Sequence, residues 1–97
     1  EAFIKRAAFA LMAVLAVHDK AADDDQFLEF LPIIQLEAED GRNFVKKAVS
    51  WALRQIGKRN PDLRSAAIHV AETLQQSSMK PARWIANDAL RDLADND

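Results

Sequence analysis

The sequence predicts an all-α protein of about five helices, and three observations carry that prediction. Glycine and proline number only 2 and 3 in 97 residues, whereas an all-β domain of this length needs turn residues at every hairpin. No stretch alternates apolar and polar residues over the length of a strand. Apolar residues make up 49% of the chain and charged residues 29%, a globular balance, and the apolar ones recur at helical spacing between short polar breaks. The length suits one domain.

The first helix should run from about Ala2 to Val17. Its apolar residues (Phe3, Ile4, Phe9, Leu11, Met12, Val14, Leu15, Val17) surround the helix axis, and only Lys5 and Arg6 are charged. A helix that is apolar all round is buried all round. Either the four other helices wrap it in a compact bundle, or one of its faces meets helices that precede it. On the second reading the chain is the C-terminal part of a longer protein. The start, Glu1-Ala2-Phe3-Ile4 without Met or a capping box, suits that reading.

Asp23-Asp24-Asp25 opens the second helix, since carboxylates suit a helix N-terminus, and the helix continues to about Ala38. Pro32 inside it is expected to kink or split it. Glu37, Glu39 and Asp40 read as a solvated helix end, closed by Gly41. The third helix spans about Asn43 to Arg59. Asn60-Pro61-Asp62 stops it and starts the fourth, because Asn caps and Pro suits the first helical position. The fourth reaches about Gln76, Ser77 to Pro81 form a break, and the fifth runs from Pro81 to about Ala94. Asp95-Asn96-Asp97 should fray. Connections this short make neighbouring helices antiparallel, in a bundle or a piece of an α-solenoid. No clean repeat period chooses between them.

The chain contains no Cys, which excludes disulfides, thiolate zinc sites and thiol nucleophiles and suits a cytoplasmic setting. His18 and His69 lack metal-ligand spacing. His18 reads as a helix-end residue and His69 as a polar-face residue. No apolar run approaches the roughly 18–20 residues of a membrane span, and no signal-peptide pattern is present.

The formal charge of −2 argues against a polyanionic partner until it is resolved along the chain. Residues 19–40 hold one cation against eight anions, whereas residues 41–64 hold seven cations (Arg42, Lys46, Lys47, Arg54, Lys58, Arg59, Arg64) against one anion. On a wheel of about 100° per residue, Lys47, Trp51, Arg54 and Lys58 share a stripe about 60° wide. Val45, Val49, Ala52, Leu53 and Ile56 occupy the opposite face. Trp51 therefore stands off the core face among three cations. Such a tryptophan packs on a neighbouring helix while the cations snorkel around it, or it offers a stacking surface inside a phosphate-binding stripe. Trp84 lies opposite the Ala86–Ala89–Leu93 face of the last helix and reads as a packing or end-capping residue, not a substrate contact. Gly57, mid-helix, implies a close approach by DNA or by a packed helix.

The stretch Phe44-Val-Lys-Lys-Ala-Val-Ser-Trp51-Ala-Leu-Arg54-Gln-Ile-Gly-Lys58-Arg-Asn-Pro61 resembles the C-terminal region of the DNA alkylation repair glycosylases built from HEAT-like repeats, the AlkD-like family. Their pattern F-[VI]-x-K-A-x-x-W-x-L-R-x-x-x-K-x-N-P is matched at every fixed position. Phe3-Ile4-Lys5-Arg6-Ala7-Ala8-Phe9 and Arg83-Trp84-Ile85-Ala86-Asn87-Asp88-Ala89-Leu90-Arg91 resemble flanking blocks of that family. The resemblance implies helical pairs forming part of a right-handed α-solenoid that cradles duplex DNA. It implies hydrolysis of the N-glycosidic bond of alkylated N3 or N7 purines, without metal or organic cofactor. In that resemblance Arg6 matches a DNA-contacting arginine and Trp51 an active-site tryptophan. Together with the basic stripe this leads to the expectation of DNA-backbone contacts by Arg6, Lys47, Arg54 and Lys58, and lesion stacking by Trp51. The family's catalytic Asp lies upstream of the block that holds Arg6, so no position here matches it and no catalytic residue is expected in this chain. The expected partners are duplex DNA and further N-terminal repeats. A non-catalytic HEAT-like module that binds DNA or an acidic protein is the alternative.

Overall fold

The computed structural model describes residues 1–94. Their secondary structure is helical: α1 (Ala2–His18), α2 (Asp24–Glu37), α3 (Asn43–Gly57), α4 (Pro61–Gln75) and α5 (Lys80–Ala94). All five segments fall within two residues of the expected bounds. The expectation for residues 95–97 lies outside the described residues. Asp23 caps α2 by accepting the Gln26 N–H, and Asn60 caps α4 by accepting the Leu63 N–H with Pro61 just inside. The carboxylate of Glu1 accepts from the Phe3 and Ile4 N–H groups, so α1 is capped although no capping box marks its start.

α2 does not split at Pro32. The proline sits on the exposed side of the helix. The carbonyl that loses its N–H partner belongs to Leu28, itself exposed, so water can replace the lost bond. Phe27, Leu31 and Ile34 hold the other side of α2 in the core.

Contacts spaced about one helical pair apart reveal the order that the amino-acid pattern hides. Ser50 bonds to Asp88 and Arg54 to Asp92, each pair separated by 38 residues. Such a constant offset means that α3 and α5 run parallel. Phe3 meets Phe44 near the starts of α1 and α3, and Arg59 meets Ala16 near their ends, so these two are parallel as well. Asn60 and Asp24, 36 apart, tie the starts of α4 and α2. Helices α1, α3 and α5 form one layer and α2 and α4 the other. The smallest dimension, 19 Å, fits two layers of helices about 10 Å across. This is the stacking of HEAT-like pairs, with the repeat carried by contacts and not by recurring residues.

α3 is the middle of its layer. Val45, Val49, Ala52, Leu53 and Ile56 are buried as expected, and Ala48, Ser50 and Gly57 are buried too. Gly57 is explained by protein packing and not by DNA: a Cβ there would stand 2.8 Å from the Leu93 methyls and 3.1 Å from Ala67 Cβ. α1 ends differently. Phe9, Met12, Ala13 and Ala16 are buried, but Ile4 is 70% exposed and Leu11 58% exposed, with Val14 beside them. The four other helices do not close around α1, and this side of it stays open to solvent.

Two polar tethers fix α1 to the rest. Lys5 Nζ pairs with Glu37 at 2.7 Å and with Asp40 at 3.4 Å, and Arg42 Nη2 reaches Asp40 at 2.6 Å. Glu37 and Asp40 are therefore ion-paired rather than solvated, because α1 brings Lys5 over the end of α2. At the other end Arg59 donates to the carbonyls of Ala16 (3.0 Å) and Ala22 (2.7 Å) while its guanidinium stacks 4.4 Å from the Phe27 ring centroid.

The Arg42 side chain, then its backbone N–H, and Lys5 hold the Asp40 carboxyl well below the usual carboxylate range. Folded Asp40 therefore takes up its proton at lower pH than the unfolded chain does. Its contribution is complete above about pH 4 and is lost as pH falls from there toward the folded pKa. Thermal melting should drop across that acid range, and Asp40→Asn should flatten the drop. Gly57→Val should destabilise the fold by about 1–3 kcal/mol in urea unfolding, because the branched side chain overfills a closed space.

Candidate nucleic-acid interface

The stripe that the helical wheel isolates on α3 is the part of α3 that stays open. Lys47 and Lys58 are exposed and Trp51 is 37% exposed, while the opposite face is sealed. Trp51 is partly covered and keeps 37% of its surface open. It lines a groove of about 240 Å³ between α1 and α3, together with Arg6, Ala10, Phe44, Lys47 and Ala48. Small Ala10 and Ala48 line it beside the aromatic and cationic side chains.

Arg6 comes from the preceding parallel helix, and both it and Lys47 stand on this groove. Neither is within ion-pair distance of a carboxylate among the described residues. Phe44 joins the site although the wheel argument did not single it out. It is 41% exposed and its ring lies 6.0 Å from that of Phe3. The signal was present, since Phe44 falls one helical turn before Lys47 and two before Trp51 on the same face. The groove thus combines an indole, a phenyl ring and two open cations.

Arg54 and Lys58 continue the stripe away from the groove but are differently engaged. Lys58 Nζ pairs with Asp92 at 2.8 Å, and Arg54 reaches Asp92 at 3.5 Å and Asp88 at 3.6 Å. The hydrogen bond from Lys58 holds the Asp92 carboxyl below its ordinary value against the opposing effect of burial, and Arg54 adds to the lowering. The structure therefore places Arg6, Lys47 and Trp51 together and sets Arg54 and Lys58 on an adjoining ridge shared with α5.

The strongly basic segment is less basic in space than in sequence. Of its seven cations, Arg42 is held by Asp40, and Arg54 and Lys58 by α5. Arg59 binds main-chain carbonyls, as does Arg64, which donates to Leu93 O at 2.8 Å. Lys46 lies 4.5 Å from the ring centroid of Trp84, which makes Trp84 a packing partner of α3. Lys47 is left on the groove.

A larger hollow of about 480 Å³ lies beside Lys20, Asp24, Lys58, Arg59 and Asn60. Its central groups already satisfy one another through the Arg59 carbonyl bonds and the Asn60–Asp24 hydrogen bond of 2.8 Å. His18 and His69 are exposed and apart from the groove. Among the described residues no cluster of three or more His, Cys, Asp or Glu is placed to hold a metal ion. No described helix is long and apolar enough to cross a membrane.

No curated protein and no solved structure matches the chain. A family model does. Over residues 1–93 the sequence matches the model described as DNA alkylation repair enzyme, and the chain belongs to that family.

Proposed function

We propose that this chain is the DNA-binding C-terminal part of a glycosylase that hydrolyses the N-glycosidic bond of alkylated purines in duplex DNA. The observation that carries the reading is the α1–α3 groove, where Trp51 and Phe44 stand beside Arg6 and Lys47, two cations with no described acidic partner. Lysine and arginine neutralise backbone phosphates and release counterions. An indole attracts a cationic base more strongly than a neutral one, and an N3- or N7-alkylated purine carries that charge. The same charge makes the base a good leaving group, so the chemistry needs stabilisation of a sugar oxocarbenium and a positioned water. A carboxylate does this, and none lines the groove. In this reading the catalytic Asp is supplied by preceding repeats, and the open apolar face of α1 (Ile4, Leu11, Val14) is where they seat.

The absence of a lining carboxylate equally suits a non-catalytic HEAT-like module that holds DNA or an acidic protein. Release of alkylated purine from methylated DNA by a longer protein that includes the preceding repeats separates the two. Base release supports the glycosylase, and binding without release leaves the module.

Duplex binding should weaken with salt, with a log–log slope of roughly −2 to −4 for two to four neutralised phosphates. Arg6→Ala, Lys47→Ala and Arg54→Ala should each make that slope shallower by about one, equally across DNA sequences. In a Trp84→Phe background the emission of Trp51 reports on the groove alone. It should be quenched by acrylamide in the free protein and protected by duplex containing an alkylated purine. Salt-independent binding, or Trp51 emission indifferent to DNA, would remove the reading.

A further inference from the structure

The ridge formed by α3 and α5 carries two cations and two carboxylates. One oxygen of Asp92, Oδ2, lies 2.8 Å from Lys58 Nζ and 3.5 Å from Arg54 Nη1. Asp88 takes the inner side of the same guanidinium, 3.6 Å from Nε, and its Oδ2 accepts the buried Ser50 hydroxyl at 2.6 Å. Asp88 is thus anchored to the core of α3. Asp92 stands one helical turn further along, its side chain 30% exposed against 27% for Arg54 and 36% for Lys58.

A carboxylate oxygen and a phosphate oxygen are equivalent acceptors for such donors. Each takes charge-assisted hydrogen bonds from guanidinium and ammonium in the same geometry. Asp92 therefore occupies the position between Arg54 and Lys58 that an anionic oxygen of a nucleic-acid backbone would take. The contrast with Arg6 and Lys47 is direct, because those cations face the groove without a carboxylate.

We propose that Asp92 is a built-in substitute for a backbone phosphate: it holds Arg54 and Lys58 in place while no nucleic acid is bound and gives them up to a phosphate when DNA arrives. The proposal rests on the DNA-binding reading above. In the free protein the ridge is close to neutral, so it does not gather polyanions on its own. The open cations of the groove make the first contact, and the ridge engages a ligand already held there. Exchanging one anion for another costs the ridge little hydrogen bonding but withholds its charge from weak or brief encounters. Asp92 is in this sense a positioning residue that acts through Arg54 and Lys58.

The test is equilibrium binding of the full chain to a short fluorescent undamaged duplex at several salt concentrations, with thermal melting as the check on folding. Asp92→Asn should bind about 3- to 10-fold tighter, with a log–log salt slope steeper by about one. Asp92→Ser should do the same if the amide disturbs packing. Glu72→Gln changes the net charge equally on exposed α4 and should leave affinity unchanged. In the Asp92→Asn background, removing both ridge cations (Arg54→Gln with Lys58→Gln) should cost more affinity than in the native chain. Equal or weaker binding by folded Asp92 variants would overturn the proposal, and so would equal tightening by Glu72→Gln. If Arg6→Ala and Lys47→Ala weaken binding while the Asp92 variants do not tighten it, the groove reading stands and this proposal alone falls. If no variant alters duplex binding, or none binds, both fall.

Discussion

The enclosure of α3 is the constraint on which the other features depend. A helix flanked on two sides within its layer and covered by a second layer can keep only a narrow strip of its circumference in contact with solvent. Small residues make that enclosure close: Ala48, Ser50, Ala52 and Gly57 all lie in contact surfaces. Leu93 approaches the Gly57 backbone so nearly that a methyl group does not fit without displacement. The strip that remains carries Phe44, Lys47, Trp51 and Lys58. Packing thus decides which side chains are available for binding before any ligand is considered.

The charges obey a second rule, that a cation is available only if the fold has not already employed it. Arg59 and Arg64 satisfy main-chain carbonyls at helix ends, where four acceptors at each terminus lack helical partners. Arg42 and Lys5 are bound into the Asp40 network. What a long stretch of lysine and arginine offers a polyanion is the residue left over, and here that residue adjoins exposed aromatic rings.

Helix number, helix bounds and the inner face of α3 were legible in the amino-acid pattern because capping residues and apolar periodicity act locally. Trp51 was legible for the same reason, standing off a face that five apolar residues defined without it. The fate of the other cations was not, since Lys5 finds Glu37 and Arg54 finds Asp92 across 32 and 38 residues of chain. Whether Pro32 splits its helix was not legible either, because that depends on whether the orphaned carbonyl faces water or protein. The repeat stayed hidden because stacking constrains where residues touch and leaves their identities free.

The groove between α1 and α3 is bracketed by the two tethers, the Lys5–Asp40 pair toward the helix starts and the Arg59 bonds to Ala16 and Ala22 toward their ends. Its walls are parallel helices pinned at both extremities, so its width is set before anything enters. A slot of this kind loses little conformational entropy on occupation. A guest of such a slot would be chosen by fit and not by closure around it, and Trp51 and Phe44 are among the side chains it would meet.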